Sequence, residues 1–151
     1  MKKGMLWAGV AMGLILFFSN RPVLAQEYSE EKVVKHASSR LIEGLLEALD
    51  LTYDEINDGA YSFKMNGYKV ILVNKGEDIQ IFAIFSGKKI TLTRINEWNK
   101  TKRFSRAYLD DDGDAVLDAD LDFEGGVTGE TLLRFLKIFS DSVEAFSDHL
   151  D

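Results

Sequence analysis

The stretch "AYSFKMNGYKVILVN" at residues 60–74 constrains the fold more than any other part of this sequence. Asn66 and Gly67 separate two runs in which apolar and polar residues alternate, and Asn-Gly between such runs is typical of a two-residue hairpin turn. Because a two-residue turn fixes the pairing, Met65 must lie opposite Tyr68. The same register predicts two further pairs, Phe63 with Val70 and Tyr61 with Leu72. These six side chains are therefore expected on one face of an antiparallel sheet.

Three stretches of the sequence show the spacing of amphipathic helices. Ser29 can cap the first, at residues 30–51, and Thr128 can cap the last, which runs to Leu150. A shorter helix is expected at residues 94–102. The remaining apolar stretches indicate strands: "IQIFAIF" after the first hairpin, and two more on either side of an acidic turn. The resulting order α-β-β-β-α-β-β-α predicts an α+β domain with an antiparallel five-stranded sheet.

The acidic stretch "YLDDDGDAVLDADL" at residues 108–121 looks at first like a calcium loop. With Gly113 at the sixth position of an EF-hand loop, however, the first position is Tyr108 and the twelfth is Ala119. Two of the four side-chain ligands are then missing. The flanks alternate as strands do, which favours a hairpin with Asp112 and Gly113 at its turn. We therefore predict no metal site here, and a calcium-responsive module remains the alternative.

The register of this second hairpin follows from its turn. An Asp112-Gly113 turn places Leu109 opposite Val116, and a four-residue loop would give the same facing. Arg106 then falls on the apolar side of the hairpin, which the pattern does not explain. We interpret it as an edge residue whose charged end reaches water. The expected sides are Phe104, Tyr108, Leu117 and Leu121 on one, and Leu109, Val116, Asp118 and Asp120 on the other.

The N-terminus has the pattern of a secretory signal peptide. Lys2 and Lys3 precede an apolar run of about 14 residues, which is short for a membrane span, and the segment ends with "VLA" at Ala25. We therefore predict a signal peptide at residues 1–25, cleavage after Ala25, and a periplasmic or secreted location. Residues 26–151 then form a single mature domain. An uncleaved N-terminal anchor is the alternative.

Charge and composition exclude several classes of function. All 25 acidic residues but only 15 of the 18 basic residues follow Ala25, so residues 26–151 carry a formal net charge of −10. Such a charge repels nucleic acid and anionic lipid head groups, and neither nucleic acid nor the membrane is an expected partner after cleavage. The chain has no cysteine, which removes thiol catalysis and thiolate metal sites.

Residues that could carry chemistry are few. The two histidines, His36 and His149, have no second ligand at metal spacing, and no nucleophile motif appears. We therefore predict a protein that is not an enzyme and binds no cofactor. A small enzyme whose site is assembled only in the tertiary structure is the alternative.

The second and third strands break the alternation that a sheet with one buried face shows. Ile71, Val73, Phe82 and Ile84 point away from the predicted core face. Two long helices can cover one face of the sheet, but the short middle helix cannot cover all of the other. We therefore predict a partner-binding site at these four residues, for a second copy of the chain or for a protein or peptide. The alternative is that a loop or the middle helix buries them.

The stretch "RINEWNKTKRFSRAYLDDDGDAVLDADLDFEGGVTGETL" at residues 94–132 resembles the YbjN family of bacterial sensory transduction regulators. The resembling features are Asn96-Glu97-Trp98-Asn99, the "RF" strand start at 103–104, the acidic "DGD" hairpin and "EGGVT". The family is similar in fold to type III secretion chaperones, which are dimers that hold extended segments of other proteins. The resemblance implies a chaperone-like or regulatory binding module and a homodimer. It implies no catalytic residue.

Overall fold

The computed structural model describes residues 33–87 and 90–151. The helices are α1 (Ser39–Ala48), α2 (Leu92–Thr101) and α3 (Gly129–Leu150). The strands are β1 (Tyr53–Asn57), β2 (Ala60–Met65), β3 (Tyr68–Asn74), β4 (Asp78–Phe85), β5 (Arg106–Leu109) and β6 (Ala115–Asp122). The predicted signal peptide at residues 1–25 and the predicted cap Ser29 lie outside the described residues. No described helix is long and apolar enough to span a membrane.

The strands form one antiparallel sheet in the order β1-β2-β3-β4-β6-β5. The α+β fold with an antiparallel sheet is confirmed, but the sheet has six strands where five were predicted. The additional strand is β1, "YDEIN", which pairs with β2 although Asp and Asn are rare in strands. Its position at the edge of the sheet explains why this composition is tolerated there.

The β2–β3 hairpin has the predicted register, with Met65 opposite Tyr68 and Phe63 opposite Val70. Asn66 and Gly67 both have positive φ, at 51° and 82°. Positive φ at both central residues is what a type I′ turn requires, and its twist matches that of the two strands. The turn chemistry alone therefore determined which side chains share a face.

The first helix begins later than predicted. α1 is capped by Ser38, whose side chain accepts a hydrogen bond from the N–H of Leu41. The predicted helix start after Ser29 is therefore wrong for residues 33–38, which are described and are not helical. This segment is extended, and Val34 and Val127 exchange two backbone hydrogen bonds of 2.8 Å. The pairing with the strand-like segment before α3 satisfies these backbone groups in place of a helical turn.

The three helices of the described residues pack on one face of the sheet, which we call the inner face. Their buried side chains form a single hydrophobic core with the inward-pointing residues of the strands. The predicted apolar stripe of α3 is confirmed, because its six members are buried. They are Leu132, Leu136, Phe139, Val143, Phe146 and Leu150.

Candidate functional site on the open face of the sheet

The four predicted site residues lie together on the face of the sheet opposite the helices, which we call the outer face. Ile71 and Phe82 are direct cross-strand neighbours on β3 and β4, and Val73 and Ile84 lie beside them on the same strands. All four are partly buried, and none belongs to the hydrophobic core. The structure therefore brings them together on one surface, and their binding of a partner stays a prediction.

The β5–β6 hairpin pairs one position away from the predicted register. Leu109 lies opposite Ala115, where Val116 was expected, and Tyr108 lies opposite Val116. Because side chains alternate between faces, a shift of one residue moves every β5 side chain to the other face relative to β6. Leu109 therefore joins the inner face. The outer face receives Arg106, Tyr108, Val116, Asp118 and Asp120.

The turn of this hairpin explains the shift. A three-residue loop, Asp111–Gly113, is closed by a 3.0 Å hydrogen bond from the N–H of Asp110 to the carbonyl of Asp114. The Asp110 carboxylate also accepts hydrogen bonds from the N–H groups of Asp112 and Asp114, at 3.1 and 2.9 Å. Gly113 has φ 83°, the left-handed conformation that ends such loops. An odd loop reverses the facing that a two- or four-residue loop would produce.

Arg106, which the predicted register left unexplained, is the centre of a polar cluster on the outer face. Its Nη2 donates a hydrogen bond of 3.0 Å to Asp118 Oδ2, and its Nε lies 2.7 Å from Asp118 Oδ1 in an ion contact that is not a hydrogen bond. The same Nη2 is 3.0 Å from Asp120 Oδ2, and Gln80 donates a hydrogen bond of 3.2 Å to Asp118. The hydrogen bonds and the negative charge of Asp118 raise the pKa of Arg106.

Burial differs sharply within this ion pair. The Asp118 side chain is 1% exposed, whereas the Arg106 side chain is 61% exposed. The arginine therefore lies over the carboxylate and covers it from solvent. Removal of the guanidinium would leave a buried charge without its main partner, which is strongly unfavourable. Burial and the neighbouring Asp118 also raise the pKa of Tyr108 on the same face.

The polar cluster and the apolar residues form one continuous surface. Phe82 lies directly opposite Asp118, and Val73 lies directly opposite Gln80. Val116 lies opposite Ile84 on β6, but its side chain is only 4% exposed and adds little accessible apolar surface. The sequence reasoning missed Val116 and the polar cluster, because their place beside the four predicted residues depends on the β4–β6 pairing between distant segments.

The two edges of the sheet differ in how their backbone is satisfied. At β5, the side-chain amide of Asn99 donates a hydrogen bond to the carbonyl of Ala107 and accepts one from its N–H, both at 2.9 Å. This amide closes the β5 edge as a neighbouring strand would. At the opposite edge, β1 carries Asp54 and Glu55, charges that discourage pairing with another strand. The broad surface available for a partner is therefore the outer face.

A groove of about 190 Å³ lies between the α2–β5 connection and α3. Its lining includes Trp98, Phe104, Lys102 and Arg103. This volume is below the roughly 300–1,000 Å³ of typical small-molecule sites. Among the described residues that line it, no nucleophile is paired with a base.

His149 has a structural role. Its Nε2 lies 2.8 Å from the carbonyl oxygen of Arg94, and Arg94 Nη1 donates a hydrogen bond of 2.8 Å to the carbonyl of His149. These contacts join the start of α2 to the end of α3. Within residues 33–87 and 90–151, no group of three or more His, Asp or Glu side chains is arranged to hold a metal ion.

The order of elements and the helices gathered on one side of the sheet define a fold shared with type III secretion chaperones. SycH of Yersinia pestis, solved with a stable fragment of YscM2, is similar with a TM-score of 0.53 and 20% identity, over 72% of this chain and 98% of that one. SpcS of Pseudomonas aeruginosa, solved in complex with ExoT, is similar with a TM-score of 0.52 and 16% identity, over 67% of this chain and 89% of that one. At these identities the likeness establishes the fold.

The chain belongs to the YbjN family, described as "Putative bacterial sensory transduction regulator", which matches residues 38–151. The crystal structure of YbjN from E. coli is similar with a TM-score of 0.60 and 16% identity, over 76% of this chain and 91% of that one. A comparison with curated proteins found no match. The family resemblance predicted from the sequence is therefore confirmed. Membership and fold together support a non-enzymatic binding or regulatory role.

Proposed function

We propose that the protein is an exported, non-enzymatic binding module that holds a protein or peptide partner against its outer face, as a chaperone or regulator. One observation carries this proposal: the three helices cover the inner face and leave Ile71, Val73, Phe82 and Ile84 outside the core. Apolar surface left in water forgoes about 25 cal/mol per Å² of burial. A partner on this face would regain part of that free energy, less the entropy lost on association.

The solved chaperones of similar fold support the choice of a protein as the partner. SycH and SpcS are both seen in complexes with other proteins. We extend that behaviour to this chain, together with a homodimeric state. The formal charge of −10 on residues 26–151 makes nucleic acid an unfavourable partner.

Export is the second part of the proposal, and the sequence at the N-terminus supports it. Signal-peptide cleavage after Ala25 would release a mature chain that begins at Gln26. N-terminal sequencing of the protein isolated from a periplasmic extract should return Gln26. Recovery of Met1 or Lys2 as the first residue would contradict cleavage.

Photocrosslinking tests the binding surface directly. Benzoylphenylalanine at position 82 places the reactive group in the middle of the outer face, and benzoylphenylalanine at position 92 provides the control. Leu92 is 65% exposed and lies at the start of α2, outside the outer face. We expect adducts with protein from position 82 and few from position 92 after irradiation in the producing cell. Equal yields at the two positions, or none at position 82, would contradict the proposal.

A further inference from the structure

The outer face contains two cross-strand pairs in which both residues carry the same charge. Lys64 on β2 lies directly opposite Lys69 on β3. Asp78 on β4 lies directly opposite Asp122 on β6. Like charges in directly opposite positions destabilise a sheet, so each pair is unfavourable in the isolated chain.

Contacts within the described residues offset little of the repulsion within these two pairs. Neither Lys64 nor Lys69 makes an ion pair with a described residue. Asp78 has one exposed and long contact, 3.8 Å to Lys75, of the kind that contributes little in water. Asp122 accepts a hydrogen bond from the backbone of the following turn and keeps its charge on the surface.

The two pairs occupy diagonally opposite corners of the outer face. The lysines lie at the end of the sheet where the β2–β3 turn is, and the aspartates lie two strands away at the other end. Strand geometry separates the pairs by ~10 Å across the sheet and ~20 Å along it. The midpoint of this diagonal falls between β3 and β4, among Ile71, Val73 and Phe82.

We propose that a second copy of this chain covers the outer face, related by a two-fold axis that passes over the midpoint of this diagonal. Such an axis, lying in the plane of the face and perpendicular to the diagonal, exchanges its two ends. Lys64 and Lys69 of each copy then meet the aspartate pair of the other, and the apolar residues meet at the centre. The arrangement is isologous, with an apolar core and a charged rim. This inference rests on the proposed function of the outer face as a protein-binding surface.

The size of the face sets the strength of the dimer. A sheet six strands wide and about six residues deep presents a surface of ~24 by ~20 Å. This area of about 480 Å² is below the roughly 600 Å² that the smallest stable interfaces bury on each partner, and it lies in the range of weak, transient contacts. We therefore expect a reversible dimer that dissociates on dilution and is weakened by salt, because its rim contacts are exposed charges.

Charge reversal tests the arrangement. One variant carries Lys64→Glu and Lys69→Glu, and the other carries Asp78→Lys and Asp122→Lys. Each keeps a like-charged cross-strand pair within the chain, which limits the change in the stability of the monomer. In the proposed dimer each variant alone brings like charges together at both contacts. An equimolar mixture restores opposite charges at both contacts of the heterodimer.

The measurement is sedimentation equilibrium of protein purified after expression of the full chain, with circular dichroism to confirm folding and native mass spectrometry to identify the heterodimer. We expect each variant to associate at least about tenfold more weakly than the unchanged protein, and the mixture to regain dimers of mixed mass. The control is Lys35→Glu with Lys100→Glu, at exposed positions, which changes the net charge in the same direction and by the same amount as the lysine variant. This control should associate like the unchanged protein.

Three results would overturn the second-copy proposal: an unchanged protein that is monomeric at every concentration, a mixture that forms no heterodimer, or a control that loses association equally. If any of these is obtained while position 82 still crosslinks to another protein, the outer face binds a different partner and the proposed function stands. If position 82 also fails to crosslink, both proposals fail.

Discussion

The two faces of the sheet are built from the same strands, yet they have different surroundings. On the inner face, residues such as Phe63, Leu72 and Ile81 are buried under three helices. On the outer face, Ile71 and Phe82 occupy the intervening positions and lie outside that core. Strands with apolar residues on both sides normally indicate a sheet covered on both sides. The comparison teaches that an apolar pattern in the sequence indicates a surface suited to burial, but does not indicate whether the same chain or another molecule covers it.

The outer face also differs by containing an ion pair whose carboxylate is buried. Its apolar residues adjoin Asp118, whose carboxylate is held by Arg106. A purely apolar core gains little stability from a buried carboxylate, since apolar residues of similar volume often contribute as much. The ion pair instead gives the outer face a polar feature at a defined position, which suits recognition.

The largest effect is expected on the inner face. Leu136→Ala removes a fully buried side chain from the α3 stripe and should lower the free energy of unfolding by about 2–5 kcal/mol through lost burial and the cavity left behind. Urea denaturation followed by circular dichroism measures it. The control is Leu92→Ala, because Leu92 is exposed and should change stability little. Similar losses at both positions would mean that the inner face is not the core.

An intermediate effect is expected for the ion pair. Arg106→Ala leaves the Asp118 carboxylate buried with fewer donors and should lower the free energy of unfolding by about 1–3 kcal/mol. Arg106→Lys keeps the charge but cannot reach both Asp118 and Asp120 as the guanidinium does, so its free energy of unfolding should lie between those of Arg106→Ala and the unchanged protein. Arg103→Ala, at an exposed position, is the matched control. A denaturation midpoint for Arg106→Ala equal to that of the control would show that Arg106 does not stabilise the buried carboxylate.

A smaller effect on stability, but a large one on binding, is expected at the centre of the outer face. Phe82→Lys should change the free energy of unfolding by less than about 1 kcal/mol, because the side chain lies outside the core. It should nevertheless weaken self-association or peptide binding in sedimentation equilibrium. Leu92→Lys makes the same chemical change elsewhere and should leave association intact. Outright unfolding of Phe82→Lys would place this residue in the core and remove the distinction between the faces.

The smallest effect is expected from calcium. The β5–β6 turn is acidic, but the Asp110 carboxylate already accepts two backbone hydrogen bonds, and the loop lacks two EF-hand ligands. Calcium at about 1 mM, the weak end of calcium-site affinities, should leave the melting temperature nearly unchanged. A saturable rise of several degrees that Asp112→Ala abolishes would instead make this end of the sheet a metal site.

The two hairpins show how far local sequence can predict pairing. In β2–β3, Asn66 and Gly67 both accept the positive φ of a two-residue turn, and the predicted register was right. In β5–β6, Asp-Gly suggested an even loop, but the Asp110 carboxylate stabilises an odd one by binding two N–H groups. Acceptance of those hydrogen bonds depends on the full conformation of the loop, which a residue pair at the turn does not specify.

The sequence by itself determined the features that depend on residues close together in the chain: the β2–β3 register, the buried stripe of α3 and the apolar second face of β3 and β4. Only the tertiary structure decided the features that depend on distant segments. Val34 pairs with Val127 and thereby delays the start of α1, and β1 becomes a strand because β2 offers it an edge. Arg106 contacts Asp118 because the register of the β5–β6 hairpin places the two residues directly opposite each other. Local periodicity shows which side of a helix or strand is apolar. What packs against that side depends on contacts between residues far apart in the sequence, which form only when long loops close.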